Sequence, residues 1–114
     1  MSIFDNDVSR LIQKTVYLQI LRSTLEWDRL RMRETKMYKV YNSLIDHVIN
    51  EISHDLYELK KQLMINKAKI VFEDQLDKAR HVEYQHRGYV FKVEYLNHHI
   101  KLACENLLQD YLGL

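Results

Sequence analysis

Residues 81–95 read HVEYQHRGYVFKVEY. Apolar and polar residues alternate here at period two, the signature of a half-buried strand pair. Placing Arg87-Gly88 in the turn sets the register. Tyr84 then meets Phe91 and Val82 meets Val93 on one face, while Glu83 meets Lys92 and His81 meets Glu94 on the other. One face is apolar and the other pairs unlike charges, as cross-strand partners prefer. Gly88 supplies the positive φ of a tight hairpin turn. The stretch predicts a β-hairpin near 80–95. Its apolar face (Val82, Tyr84, Tyr89, Phe91, Val93, Tyr95) is expected to pack on helices.

Helical patterns flank the hairpin. Downstream, NHHIKLACENLLQDYL at 97–112 opens on Asn97, a good cap, and carries Ile100, Ala103, Cys104, Leu107, Leu108 and Tyr111 as an apolar stripe. Upstream, Val8, Leu11, Ile12, Val16, Ile20 and Leu21 recur at helical spacing, widened by Leu18, Leu25, Trp27 and Leu30. They predict a helix over about 6–30, capped by Asp5, Asn6 or Asp7. A break is expected within RLRMRETKMYK at 29–39. A second helical run covers about 35–64, with Met37, Tyr41, Leu44 and Val48 in a four-three-four seam. Ile52, Leu56, Leu59 and Leu63 continue it. The four-plus-four step from Val48 to Leu56 is a stutter or a break. Ser53 can cap a new helix there, so one long helix and two helices both fit. Asn66 can end the run in a left-handed conformation. KAKIVF at 67–72 suits a strand with Ile70 and Phe72 on one side, and EDQLDKAR at 73–80 suits a connection or a helical extension.

Composition bounds the rest. A chain of 114 residues predicts one domain, here 1–114. No proline and two glycines favour long helices over a loop-rich sandwich. The formal charge of +1 gives no global pull towards nucleic acid or membrane. The single Cys104 cannot form an intrachain disulfide, which fits a reducing compartment. The first ten residues lack the charge and hydropathy of a signal peptide, and no apolar run approaches a membrane span of ~20 residues. The expected location is cytoplasmic, without membrane association.

No catalytic or cofactor signature stands out, and the chain is not expected to be an enzyme or to hold a cofactor. His47, Glu51 and His54 share one face of a continuous helix, and Glu51 with His54 has the E-x-x-H spacing of di-iron bundles. The further carboxylates such a site needs cannot be placed, so no metal is assigned. Cys104 falls on an apolar stripe, where a thiol serves as a small hydrophobe.

Local positive charge is the remaining signal. Arg29, Arg31, Arg33, Lys36 and Lys39 form one cluster, Lys60, Lys61, Lys67 and Lys69 a second, and Arg87 sits in the hairpin turn. Phosphate binding needs local rather than global charge.

The order of elements resembles small dimeric winged-helix DNA-binding proteins, similar to the bacterial replication-terminator family. SHDLYELKKQLMINKAKIVF at 53–72 reads like a third helix running into the first wing strand. HVEYQHRGYVFKVEY reads like the wing, and NHHIKLACENLLQDYL like a dimer helix. The resemblance spans about residues 8–112 and rests on order. It implies a mainly helical, winged-helix-like α+β fold with three N-terminal helices. It further implies that Tyr57, Lys60 and Lys61 face DNA, with Lys67 and Arg87 on phosphates. The usual glycine before the third helix is replaced by EISH, and Asp55 and Glu58 would repel phosphate. The expected function is a small homodimeric DNA-binding regulator, contacting DNA through Arg29, Arg31, Arg33, Tyr57, Lys60, Lys61, Lys67 and Arg87. The alternative is a helical module that binds another protein. A homodimer would form through the C-terminal helix or the 37–63 seam.

Overall fold

The computed structural model describes residues 3–114, with side chains from Asp7 onward. It is a mainly helical α+β structure. Helix α1 spans Ile3–Arg31, α2 Tyr38–Ile65 and α3 Asn97–Leu112. Between α2 and α3 lie β1 (Ala68–Gln75), β2 (Ala79–His86) and β3 (Tyr89–Leu96), an antiparallel meander in the order β1-β2-β3. Helix α1 is already helical at Ile3, so Asp7 lies inside it rather than capping it. The side chains of Asp5 and Asn6 lie outside the described residues.

The break expected at 29–39 is a 3-10 turn at Met32–Glu34. Thr35 makes it without glycine or proline: its amide and its hydroxyl both donate to the Met32 carbonyl, and its backbone is extended. The chain reverses, and α2 runs back along α1.

Of the two readings for 35–64, the single helix is the one observed. Ser53 caps nothing; it lies inside α2 and accepts a hydrogen bond from Arg22 across the helix pair. There is thus no separate third helix, and two helices precede the sheet. The stutter instead lets the buried stripe drift around α2, through Ile45, Val48, Ile52, Leu56, Leu59 and Leu63. At the C-terminus of α2 the left-handed residue is Lys67 (φ 55°), not Asn66 (φ −84°). The Asn66 amide side chain instead donates to the Gln62 carbonyl.

The hairpin register matches the sequence pattern at every pair from Ala79↔Leu96 to His86↔Tyr89. Arg87 and Gly88 form the turn with φ of 53° and 85°, both positive, as a two-residue turn of the primed type requires. The segment 73–80 is neither helix nor plain connection. Strand β1 runs to Gln75 and returns after three residues into β2. A bulge between Ile70 and Phe72 shifts the register. It turns Phe72 to the outer face, opposite Glu83, so Ile70 and Phe72 do not share a side.

The core has two lobes. Val8, Ile12 and Val16 of α1 pack on the inner sheet face with Val82, Tyr84, Tyr95 and Ile100. Leu18, Leu21 and Leu25 pack on α2 from Ile45 to Leu59. Helix α3 covers part of the second lobe with Leu107, Leu108, Tyr111 and Leu112. Cover of the hairpin is uneven: Val82, Tyr84, His86 and Tyr95 are buried, while Tyr89 is 73 % and Phe91 37 % exposed. Among the described residues no helix is long and apolar enough to cross a membrane.

Candidate functional site

The antiparallel α1–α2 pair separates the predicted basic residues. Arg29, Arg31 and Arg33 lie where α1 meets the turn. Lys60, Lys61 and Lys67 lie at the far end of α2, next to the sheet. Arg29 stands level with Asp46 of α2, so at ~1.5 Å per residue Lys60 lies roughly 20 Å further along the helix, and Lys67 further still. The molecule is 52 Å in its longest dimension. The eight residues therefore form two ends, not one face.

Charge is partly used within each end. Arg29 reaches across to Asp46 on α2. Lys61 lies 3.6 Å from the Glu58 carboxylate and 4.6 Å from the centre of the Tyr57 ring. Arg31 and Arg33 are exposed.

At the sheet end, Lys67 and Arg87 are brought together by the backbone. The Arg87 amide donates to the Lys67 carbonyl at 3.1 Å. Both residues line a concavity of about 540 Å³ with Ile65, Asn66 and Gly88. A neighbouring groove holds Tyr57, Lys60 and Lys69 together with Arg22 of α1. Arg22 had no signal in the sequence, since only the fold brings α1 against Ser53. The outer sheet face is nearly neutral. His81 takes both Glu83 (2.7 Å) and Glu94 (3.8 Å), so Glu83 faces Lys92 in register but its close partner is the imidazole.

At the turn end the apolar seam emerges from the core. Val48 and Ile52 are at most 2 % exposed. Met37, Val40, Tyr41 and Leu44, one to three turns earlier, are 42–57 % exposed, with Leu30 of α1 open beside them. The stripe on α2 is continuous; its cover is not. The apolar residues of α3 are largely engaged in the chain's own core.

The remaining candidates are dispersed. His47 lies 2.7 Å from Glu51 on the surface of α2. Among the described residues no three His, Cys, Asp or Glu side chains gather as metal ligands. Cys104 packs against both lobes, and burial pushes its thiol above the usual range, away from the reactive thiolate. A groove of about 680 Å³ runs between α1 and α3. It contains Arg80, whose Nε is 3.4 Å from Glu73, and none of the predicted site residues.

The chain belongs to the YhjD family: the family model described as YhjD protein matches residues 4–114. No curated protein and no solved structure matches the chain.

Proposed function

We propose that this YhjD-family chain is a helical interaction module that pairs with a second copy of itself through the open half of the α2 seam. The observation behind this reading is the exposure of Met37, Val40, Tyr41 and Leu44 on a stripe whose continuation is core. Exposed, contiguous apolar residues mark association surfaces. Charge favours an antiparallel pair. On α2 the exposed stripe starts beside Lys36 and Lys39 and runs towards Asp46 and Glu51. A two-fold antiparallel pair centred near Tyr41 sets Lys36 of each copy level with position 46 of the other, and self-complementarity of this kind is what two-fold symmetry demands.

Sedimentation equilibrium tests the proposal. The wild-type chain is expected as a dimer, and Tyr41→Glu and Leu44→Glu as folded monomers. A wild-type monomer at the highest soluble concentration overturns it, as does a dimer indifferent to both substitutions.

A second reading, DNA binding, draws on the convergence of Lys60, Lys67, Lys69 and Arg87 at the sheet end. The winged-helix likeness would lay the C-terminal half of α2 in the major groove. That half is continuous with the rest of α2, and Arg29, Arg31 and Arg33 lie towards the opposite end of the helix pair. The reading therefore rests on local charge. Affinity for mixed-sequence duplex should fall steeply with salt, and the slope should drop by about one for each sheet-end lysine removed. No binding at low salt ends this reading.

A further inference from the structure

The sheet has two free edges, β1 and β3, and they differ. The bulge between Ile70 and Phe72 interrupts β1, a device that keeps an edge from pairing. Strand β3 has no such guard. It holds one unbroken register with β2 from Tyr89 to Leu96 and contains no proline. In a two-residue hairpin the flanking pair, here His86 and Tyr89, exchanges both backbone bonds, and the exchange recurs at every second pair. Tyr89, Phe91, Val93 and Tyr95 therefore turn their N–H and C=O groups to β2, while Val90, Lys92 and Glu94 turn theirs outward. Among the described residues no backbone hydrogen bond from another element reaches these outward groups.

We infer that β3 pairs with β3 of a second copy, antiparallel about a two-fold axis at Val93, so that the two sheets become one. Outward-facing residues must meet outward-facing residues, and charge chooses among the registers this allows. An axis at Lys92 sets Lys92 against itself, and one at Glu94 sets Glu94 against itself. Like charges directly opposite are destabilising. An axis at Val93 sets Lys92 of each copy opposite Glu94 of the other. The same register lays Val90 against Leu96, both exposed on the outer face. Lys92 is open to this contact. Its neighbour in register, Glu83, lies 2.7 Å from His81, and Lys92 makes no ion pair among the described residues. On the inner face Phe91 comes opposite Tyr95, beside a concavity of about 390 Å³ that Tyr95 lines with Arg10 and Gln13 of α1. Residues 90–96 are far fewer than the roughly 20–30 a side of a standard interface, so the contact is weak and depends on concentration. It does not rest on the α2 seam. With both contacts in place, edge pairing joins seam pairs into larger assemblies as concentration rises.

The test uses the full chain carrying Tyr41→Glu, which removes seam pairing. Sedimentation equilibrium should show a monomer at the low concentrations where the wild-type chain is paired, passing to a dimer as concentration rises. Adding Lys92→Glu, or adding Glu94→Lys, should abolish that dimer, because each sets like charges opposite one another beside the axis. Mixing the two variants one to one should restore it as a heterodimer, since one chain is then acidic at both positions and the other basic. Rescue by mixing also shows that neither variant was lost to misfolding. The amides of Lys92 and Glu94 donate across the axis, so their exchange should slow about tenfold once nine chains in ten are paired. A dimer that survives Tyr41→Glu at every concentration, yet is lost in both charge variants, upholds the edge and fails the seam. A Tyr41→Glu chain that stays monomeric at its highest soluble concentration overturns the edge pairing and leaves the seam standing. The edge pairing is also overturned if the charge variants keep the dimer, if mixing restores nothing, or if the Lys92 and Glu94 amides exchange in the dimer as they do in the monomer.

Discussion

The Tyr95 ring is buried against Tyr17, ring centres 5.5 Å apart, and its hydroxyl has no hydrogen-bond partner among the described residues. Burial, followed by Tyr84, Tyr17 and Glu73 nearby, pushes its ionisation above the usual range. Tyr111 is raised too, by burial and then by the hydrogen bond it donates to Asp55. The folded phenols hold their protons more tightly than the unfolded ones, which titrate near ~10. Their contribution to stability is therefore complete below about pH 10 and is lost as pH rises through the raised values. Tyr95→Phe removes an unpartnered polar atom, and should stabilise the fold by about 1 kcal/mol at neutral pH. It should also flatten the decline above about pH 10. Urea melts of both chains across pH 7–11 check both effects, and a Tyr95→Phe chain less stable at pH 7 would refute the first. At this scale the sequence was legible where two patterns had to agree. The hairpin register was readable because Tyr84/Phe91 and His81/Glu94 required the same alignment. The left-handed conformations at Lys67 and Arg87 were not, because residue preference argues against both.

Helix α2 is one element with two environments. Its stripe from Ile45 to Leu63 is buried in the core, while Met37, Val40, Tyr41 and Leu44 are exposed. Ile52→Ala should cost about 2–5 kcal/mol, the loss of a fully buried branched side chain plus the cavity left behind. Leu44→Ala, on the same stripe but 48 % exposed, should cost under about 0.5 kcal/mol when the chain is monomeric. Urea denaturation at low protein concentration measures both. Equal costs would mean that the seam is uniformly covered. The seam itself was visible as spacing, but its division was not. Which residues are covered depends on where α3 stops, and no periodicity within 35–64 carries that information. The stutter at Val48–Leu56 left one helix and two open, and packing across the pair, with Ser53 facing Arg22, accompanies the continuous form. The bulge at Val71 was equally silent, although it reverses the side on which Phe72 stands.

The two lobes share α1, and Leu11 and Cys104 touch both. Neither lobe keeps its core without that helix: Val8, Ile12 and Val16 belong to the sheet lobe, while Leu18, Leu21 and Leu25 belong to the helical one. The distance between the basic ends follows from the same arrangement. The charge runs were plain in the sequence, but their separation required knowing that α2 is unbroken and lies back along α1. A long molecule whose ends differ in chemistry could in principle open one lobe at a time, as separate cooperative units do. The shared helix argues for a single unit, because losing α1 from the sheet also removes Leu18–Leu25 from α2. Amide hydrogen exchange distinguishes the two cases. The most protected amides of β2, around Val82, and of α2, around Ile52, should report the same opening free energy. Ile12→Ala, which touches only the sheet lobe, should lower both by the same amount, about 2–5 kcal/mol. Protection lost around Val82 alone would show that the lobes unfold separately, and that α1 can leave the sheet while still holding α2.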